Sequence, residues 1–378
     1  MARRSLIEHF ADLTDPRIDR TKKHRLDDIL VIALCGILCG ATSFEGIHTF
    51  AKCRKDWLKT FLALPNGIPS HDTIYRVFCM LDAKVFAACF GRWMADLGET
   101  LGLSTVRQIA IDGKSLRGAA GNTFSGCVHL VTAWATAHGL ILGQESVAER
   151  SHEIAAIPVL LKTLRLKGAL VTIDAAGCQT EIARAIRGGG GDYLLAVKGN
   201  QPNLHDAVRH VFADACAHDF AGVTFTQHAS VEDRHGRHEE RYVTVIENPH
   251  GLPDGWLDVA AVVQVNRERE THGVNTSTTH YYITSLNGSA EQMGRLIRRH
   301  WAIENELHWV LDVSFGEDAN RTADRNASAN LGVVRRTAVS LLTQAPGKAS
   351  KPNKSLQAAL DTTYLKTILQ GNTVIKMR

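Results

Sequence analysis

The chain has no apolar run long enough to cross a membrane. Its longest, Ile29 to Ala41, holds thirteen apolar or small residues, against the roughly 20 that a spanning helix needs. It follows Lys22-Lys23-His24-Arg25, starts late and comes after several acids, so a signal peptide is a poor match and a buried helix the better one. No low-complexity tract or internal repeat stands out, which sets aside fibrous and solenoid architectures. Charge of one sign is also scarce. The net charge of +4 in 378 residues means that any affinity for nucleic acid must come from local clustering. Eight cysteines are present, at 35, 39, 53, 79, 89, 127, 178 and 216, but they are scattered. Cys35 and Cys39 are too isolated from other thiol or imidazole pairs to build a zinc site, and reduced thiols in a cytosolic protein are expected.

What is present suits a globular protein. Apolar content of 44% and charged content of 22% are ordinary, and the length allows two or three domains. Residues 1–100 carry helical periodicity broken by turn signals at Asp15-Pro16, Gly40 and Pro65-Asn66-Gly67. No helix-turn-helix pattern emerges there. After Gly102 short apolar strands appear: Val106–Ile111 ending at Asp112, then Cys127–Ala135 and Leu140–Val147 as a meander. Glu153–Leu166 has a helical period, Ala169–Ile173 is a strand ending at Asp174, Cys178–Ile186 a helix and Tyr193–Val197 a strand ending at Lys198. That order implies a mixed sheet covered by helices. Residues 223–286 alternate like strands and read as a β-rich insertion, and the end of the chain is lysine-rich, as a flexible basic tail would be.

The stretch Arg295 to Asp312 reads as one amphipathic helix, with Leu296, Ile303, Leu307, Val310 and Leu311 on one arc. Glu304 falls at the border of that arc and Glu306 on the other side. A carboxylate so placed must be paired, neutralised or metal-bound. The plain alternative is a half-buried ion pair with an arginine. Asp112 and Asp174 change the balance, because each ends a buried strand, where open sheets place ligand-binding side chains. Each alone could be a turn residue. Together, three carboxylates could hold two Mg²⁺ ions about 4 Å apart, with Mn²⁺ as a substitute.

These segments resemble the DDE transposases of bacterial insertion sequences, in particular the ISAs-type group that includes the H-repeat-associated proteins. The resemblance runs through Asp15-Pro16-Arg17, Gly67-Ile68-Pro69-Ser70-His71-Asp72-Thr73, Ile111-Asp112-Gly113-Lys114, Asp174-Ala175 and Val197-Lys198-Gly199-Asn200-Gln201. Its most specific part is His300-Trp301-Ala302-Ile303-Glu304-Asn305 with Leu307-His308-Trp309 and Leu311-Asp312-Val313. It implies an α/β (α+β) fold with a ribonuclease H-like mixed sheet. The expected domains are a helical transposase-associated domain over 1–100, a catalytic domain over 101–342 with the insertion at about 202–286, and the tail over 343–378. It further implies catalytic and metal-binding roles for Asp112, Asp174 and Glu304. Lys114, Arg117, Lys198, Asn200, His300, His308 and Asp312 are candidates for DNA contact or for supporting the acids. Double-stranded DNA is the implied substrate, with a homodimer on the two element ends, in the cytoplasm and on the nucleoid when bound. Relatives place tyrosine, arginine and lysine seven before, four before and seven after the glutamate. Here those positions are Ile297, His300 and Leu311, and Lys198 is the candidate replacement cation.

Two other functions fit parts of the pattern. One is a DNA-binding remnant without catalysis. The other is a zinc hydrolase using His300, Glu304 and His308, which lacks a general-base glutamate in a recognised arrangement.

Overall fold

The computed structural model describes residues 5–100, 108–116, 128–147, 153–234, 237–271 and 273–371. Among these residues nine strands form one mixed sheet: β1 Gln108–Ser115, β2 His129–Ala135, β3 Leu140–Val147, β4 Leu170–Ile173, β5 Asp192–Val197, β6 Phe225–Arg234, β7 Arg237–Glu247, β8 Ala261–Thr271 and β9 Val274–Thr284. Their order is β3-β2-β1-β4-β5-β9-β8-β7-β6. β1, β4 and β5 run parallel, while β2–β3 and every pair from β5–β9 onward are antiparallel. The parallel strands are the apolar ones, as strands covered on both faces must be. The chain's contacts group it into two compact units, 1–104 with 113–156 and 303–378, and 105–112 with 157–302. These groupings differ from the linear boundaries expected from the sequence.

The first unit begins with helices α1 Leu6–Phe10, α2 Leu26–Leu38, α3 Phe44–Cys53, α4 Lys55–Leu58, α5 His71–Met80 and α6 Ala83–Thr100. The apolar run lies in α2, which is buried from Asp28 to Leu38. No helix among the described residues is long and apolar enough to cross a membrane. The Asp28 carboxylate is buried and accepts from the Ala63 and Leu64 amides at 3.2 and 2.9 Å, which satisfies two backbone donors in the turn before α5. Ser43 and Ser70 cap α3 and α5.

In the second unit, most of α7 Glu153–Leu161 is followed by α8 Thr180–Gly188, α9 Pro202–Ala217 and α10 Ala290–His300. α7 is shorter than its periodicity suggests, and it contains Pro158. α9 corrects the expectation of a wholly β-rich insertion. Leu204, Val208 and Phe212 bury one side of this helix, and the Phe212 and His205 rings meet Tyr281 of β9. β9 pairs with β5 from Leu194↔Thr284 to Val197↔Tyr281, so the insertion extends the central sheet. α10 covers one face of that sheet, with Met293 and Ile297 in a core with Leu170, Leu194, Val243, Val263, Val265 and Tyr282.

The rest of the first unit holds α11 Trp309–Val313, α12 Arg325–Gln344, α13 Lys351–Leu360 and α14 Thr362–Gly371. α12 is buried on every side from Ala327 to Leu342 and packs against α2, α5 and α6. Its cap is Asp324, which accepts from the Ala327 amide at 2.8 Å. α13 and α14 correct the expectation of a flexible tail up to residue 371. Ala358, Leu365, Ile368 and Leu369 are buried, and the Lys354 ammonium donates to the Leu342 and Ala345 carbonyls that α12 leaves open at its end. Lysines that look like a solvated tail in sequence are partly helix caps.

Candidate active site

Asp112 and Asp174 come from adjacent parallel strands. The β1–β4 register runs Gln108↔Leu170, Ile109↔Val171, Ala110↔Thr172, Ile111↔Ile173. Each aspartate is one residue beyond the last rung. Side-by-side residues of parallel strands point to the same face, about 4.8 Å apart, so the two carboxylates share one face. Both are half-buried. Asp112 does not end its strand, contrary to expectation: β1 continues to Ser115, though its pairing with β4 stops at Ile111. Asp174 does end β4, and its Oδ1 accepts from the Ala176 and Gly177 amides at 3.1 and 3.4 Å, opening a single 3-10 turn.

The same face carries a polar layer beneath the aspartates. The Gln108 amide donates to the Leu296 carbonyl of α10 at 2.8 Å and lies 3.3 Å from Thr172 Oγ1. His300, the last residue of α10, places Nδ1 3.0 Å from the same hydroxyl. Burial pushes the His300 pKa down to about 4, so the ring is neutral. This bond differs from the expected partnership of His300 with Glu304 or a phosphate. On the next strand, Lys198 is exposed just past β5, and the Asn200 amide donates to the Ala175 carbonyl at 2.7 Å. Gln201 likewise donates to the Cys178 carbonyl at 3.0 Å. The loop bearing Lys198 is thereby tied to the turn that follows Asp174.

Glu304 belongs to the first unit. The expected single helix over 295–312 is observed in pieces: α10 ends at His300, Glu304–His308 is one turn of π-helix, and α11 follows. A π-turn bonds i to i+5 and admits an extra residue, so angles counted at 100° per residue fail across it. Glu304, Asn305 and Glu306 are all exposed, while Ile303 and Leu307 are buried. Glu304 is therefore not at the edge of the buried arc. Turns of this kind recur at functional sites.

His308, Asp312 and Lys114 lie in an interior network of the first unit. The Lys114 ammonium is 2.7 Å from Asp312, 2.9 Å from Asp318 and 3.8 Å from Glu317. Glu317 in turn accepts from Arg336 at 2.6 and 3.3 Å, with both side chains buried. Lys114 is only 9% exposed, so it is an internal tie. Burial raises the Asp312 carboxyl, against the opposing pull of Lys114. The His308 pKa is pushed down to about 3 by burial first, then by Arg336, Lys114 and His129. Arg117 lies outside the described residues. Gly113 faces a second pair: His129 Nε2 is 3.0 Å from Glu153, and His129 Nδ1 is 3.0 Å from Ser115 Oγ. A Cβ on Gly113 would come within 2.2 Å of His129 Nε2 and 2.5 Å of the Glu153 carboxylate, so only glycine fits.

The chain matches a family model described as Transposase DDE domain over residues 80–341, and one described as DDE_Tnp_1-associated over residues 7–94. The chain belongs to the DDE transposase family. Its sheet and helices are the ribonuclease H-like fold of that family. "H repeat-associated putative transposase YhhI" of Escherichia coli strain K12 is 36% identical over 387 residues, covering 98% of this chain and 99% of that protein. "Putative transposase YncI" of Escherichia coli O157:H7 is 35% identical over 377 residues, covering 98% and 95%. "Inactive transposase YbfQ" of strain K12 is 39% identical, but over 77 residues only, 20% of this chain and 92% of that protein.

A transposase of this family works on DNA and generally with divalent metal ions, and the donors here suit a hard cation. The described bonds of Asp174 use Oδ1, and Asp112 brings a second carboxylate alongside. Among the described residues no group of three His, Cys, Asp or Glu side chains is gathered closely enough to hold a metal. The zinc alternative loses its support: His300 Nδ1 is engaged by Thr172, and no three such ligands are gathered among the described residues. Sequence reading missed Gln108, Thr172, His129, Glu153, Glu317 and Arg336. The available signal was polarity inside apolar strands, four residues before Asp112 and two before Asp174, and an arginine in the middle of an apolar helix.

Proposed function

We propose that this transposase cuts and rejoins DNA at the ends of its own element, with Asp112, Asp174 and Glu304 as the catalytic acids. The observation that carries this is the pair of aspartates one residue past the Ile111↔Ile173 rung, on the sheet face that α10 covers. When bound, a pair of Mg²⁺ ions supplies an activated water or 3′-hydroxyl and charge stabilisation at the leaving oxygen. Asp112 and Asp174 would hold the cations, joined by Glu304. Lys198 would meet a phosphate, and Asn200 keeps that lysine's loop against the Asp174 turn. His300 is neutral and hydrogen-bonded to Thr172, so it orients the end of α10 and leaves phosphate charge to other residues. A homodimer would engage the two ends, in the cytoplasm.

The test uses the full chain and a supercoiled plasmid carrying its reading frame with the flanking DNA. Mg²⁺-dependent nicks should map to matching positions on both sides of the frame. Asp112→Ala and Asp174→Ala should lose nicking and keep most DNA binding, since cations supply affinity and the carboxylates act at the reacting phosphate. DNA binding by the wild-type chain without any nicking would favour the catalytically inactive DNA-binding remnant.

A further inference from the structure

The long strands of the insertion carry opposite charge on their two faces. Register assigns each residue a side, because alternate residues point to opposite faces. Thr172 pairs with Leu194, Leu194 with Thr284, and Ala196 with Tyr282. From there His280 pairs with Val265, Thr278 with Arg267, Arg267 with Arg241, and Arg269 with Glu239. These residues lie on the face of Thr172 and Asp174, the face on which α10 packs through Val243, Val263, Val265 and Tyr282. Lys198, two residues after Ala196, is on the same side.

That face gathers Lys198, Arg241, Arg267 and Arg269, and α10 adds Arg298, which bonds Glu232. Beside these cations its carboxylates are Glu232 and Glu239, while Glu247 lies on the same face at the far end of β7. Glu239 bonds Arg241 and lies 3.4 Å from Arg267, and Glu232 is 3.7 Å from Arg241. Two acids thus hold three arginines in place and leave the five cations in excess. The opposite face of the same strands carries Asp233, Glu240, Glu268 and Glu270, and among the described residues no lysine or arginine between Phe225 and Thr284 points that way. His280, which pairs with Val265 on this face, has its pKa lowered first by burial and then by Lys198 and Arg267, so cations from both ends of the strip act on it. Like charges gathered in this way repel one another, and a polyanion laid along them relieves that repulsion.

We propose that the transposase seats the DNA backbone on this face of the insertion. The duplex would run from Asp112 and Asp174, just past the last β1–β4 rung, across β9, β8 and β7, while the acidic face stays clear of DNA. The inference rests on the DNA-cutting reading above and adds where the substrate lies. From β5 to β7 the strip crosses three strand spacings, about 14 Å, roughly four base-pair rises. It contacts phosphates and not base edges, so it needs no particular sequence.

The test measures binding of the full chain to a fluorescein-labelled 30-base-pair duplex of arbitrary sequence, across a salt series. Arg267→Gln and Arg269→Gln should each weaken binding and reduce the slope of log affinity against log salt by about 1. Arg267→Lys should keep the wild-type slope, which separates charge from packing. Neutralising the far side with Glu268→Gln and Glu270→Gln together should leave the slope unchanged. Salt-dependent binding that Arg267→Gln and Arg269→Gln do not alter would overturn the surface and leave the transposase reading standing. Wild-type protein without affinity for the duplex at any salt concentration would overturn both.

Discussion

The imidazole of His300 and the hydroxyl of Thr172 lie 3.0 Å apart, which pins the last residue of α10 to the strand that ends at Asp174. Thr172 shares its face with Asp174, and Gln108 makes the neighbouring tie from β1 to the Leu296 carbonyl. The aspartates therefore stand on strands tied to α10 through the His300 ring and the Leu296 carbonyl, and the chain leaves the second unit two residues after His300.

This bond makes a pH prediction. An unfolded histidine takes up a proton near pH 6.5, while folded His300 resists it until about 4. Between those values the unfolded state binds more protons, so stability falls as the pH drops through that window. The full effect is roughly 3 kcal/mol, and His308, with a pKa of about 3, acts in the same direction. Urea denaturation at pH 7 and pH 4.5 should show the loss, and His300→Gln should show a smaller one. An equal loss in the variant would mean that His300 is not the responsible group.

Lys114 should behave as a structural residue. It is 2.7 Å from Asp312 and 2.9 Å from Asp318, and only 9% exposed. Lys114→Met leaves those carboxylates and Glu317 with less compensation. The expected cost is about 2–4 kcal/mol, below the range for a fully buried pair because the two aspartates are partly solvated. The salt slope for DNA binding should not change. A drop in that slope with wild-type stability would make Lys114 a phosphate contact instead.

Gly113→Ala should be among the most damaging small substitutions in β1. Its Cβ would lie 2.2 Å from His129 Nε2 and 2.5 Å from the Glu153 carboxylate. Either that pair moves or the strand does, at about 1–3 kcal/mol or more. Because the strand carries Asp112, nicking should fall along with the melting temperature. A variant with wild-type melting and nicking would show that the pair relaxes freely.

The third acid is tested by comparing Glu304→Gln, Glu306→Gln and Asp312→Asn across a Mg²⁺ series. Glu304 and Glu306 are both exposed, and Asp312 is engaged by Lys114. Glu304→Gln should abolish nicking without loss of stability, Glu306→Gln should be mild, and Asp312→Asn should act mainly on stability. Normal nicking by Glu304→Gln, with one of the others dead, would move the assignment.

Much of the fold was legible in the residues because it depends on neighbours in the chain. The alternation in Leu140–Val147 and the apolar runs before Asp112 and Asp174 are local signals, and the elements formed close to where they stood. The same local signals placed two aspartates at or near strand ends. What they could not supply was partnership across long separations. Lys114 meets Asp318 at a separation of 204 residues, and His300 meets Thr172 at 128. Only the packed structure shows which carboxylates Lys114 ties together. The π-turn at Glu304–His308 broke a periodicity that assumes i→i+4 bonding throughout. The lysine-rich end became α13 and α14 because Leu365, Ile368 and Leu369 found a core to enter. The sidedness of the insertion's charges also required the register. A shift of one residue in any strand would exchange its faces, and only hydrogen-bonded pairing selects which side the arginines take.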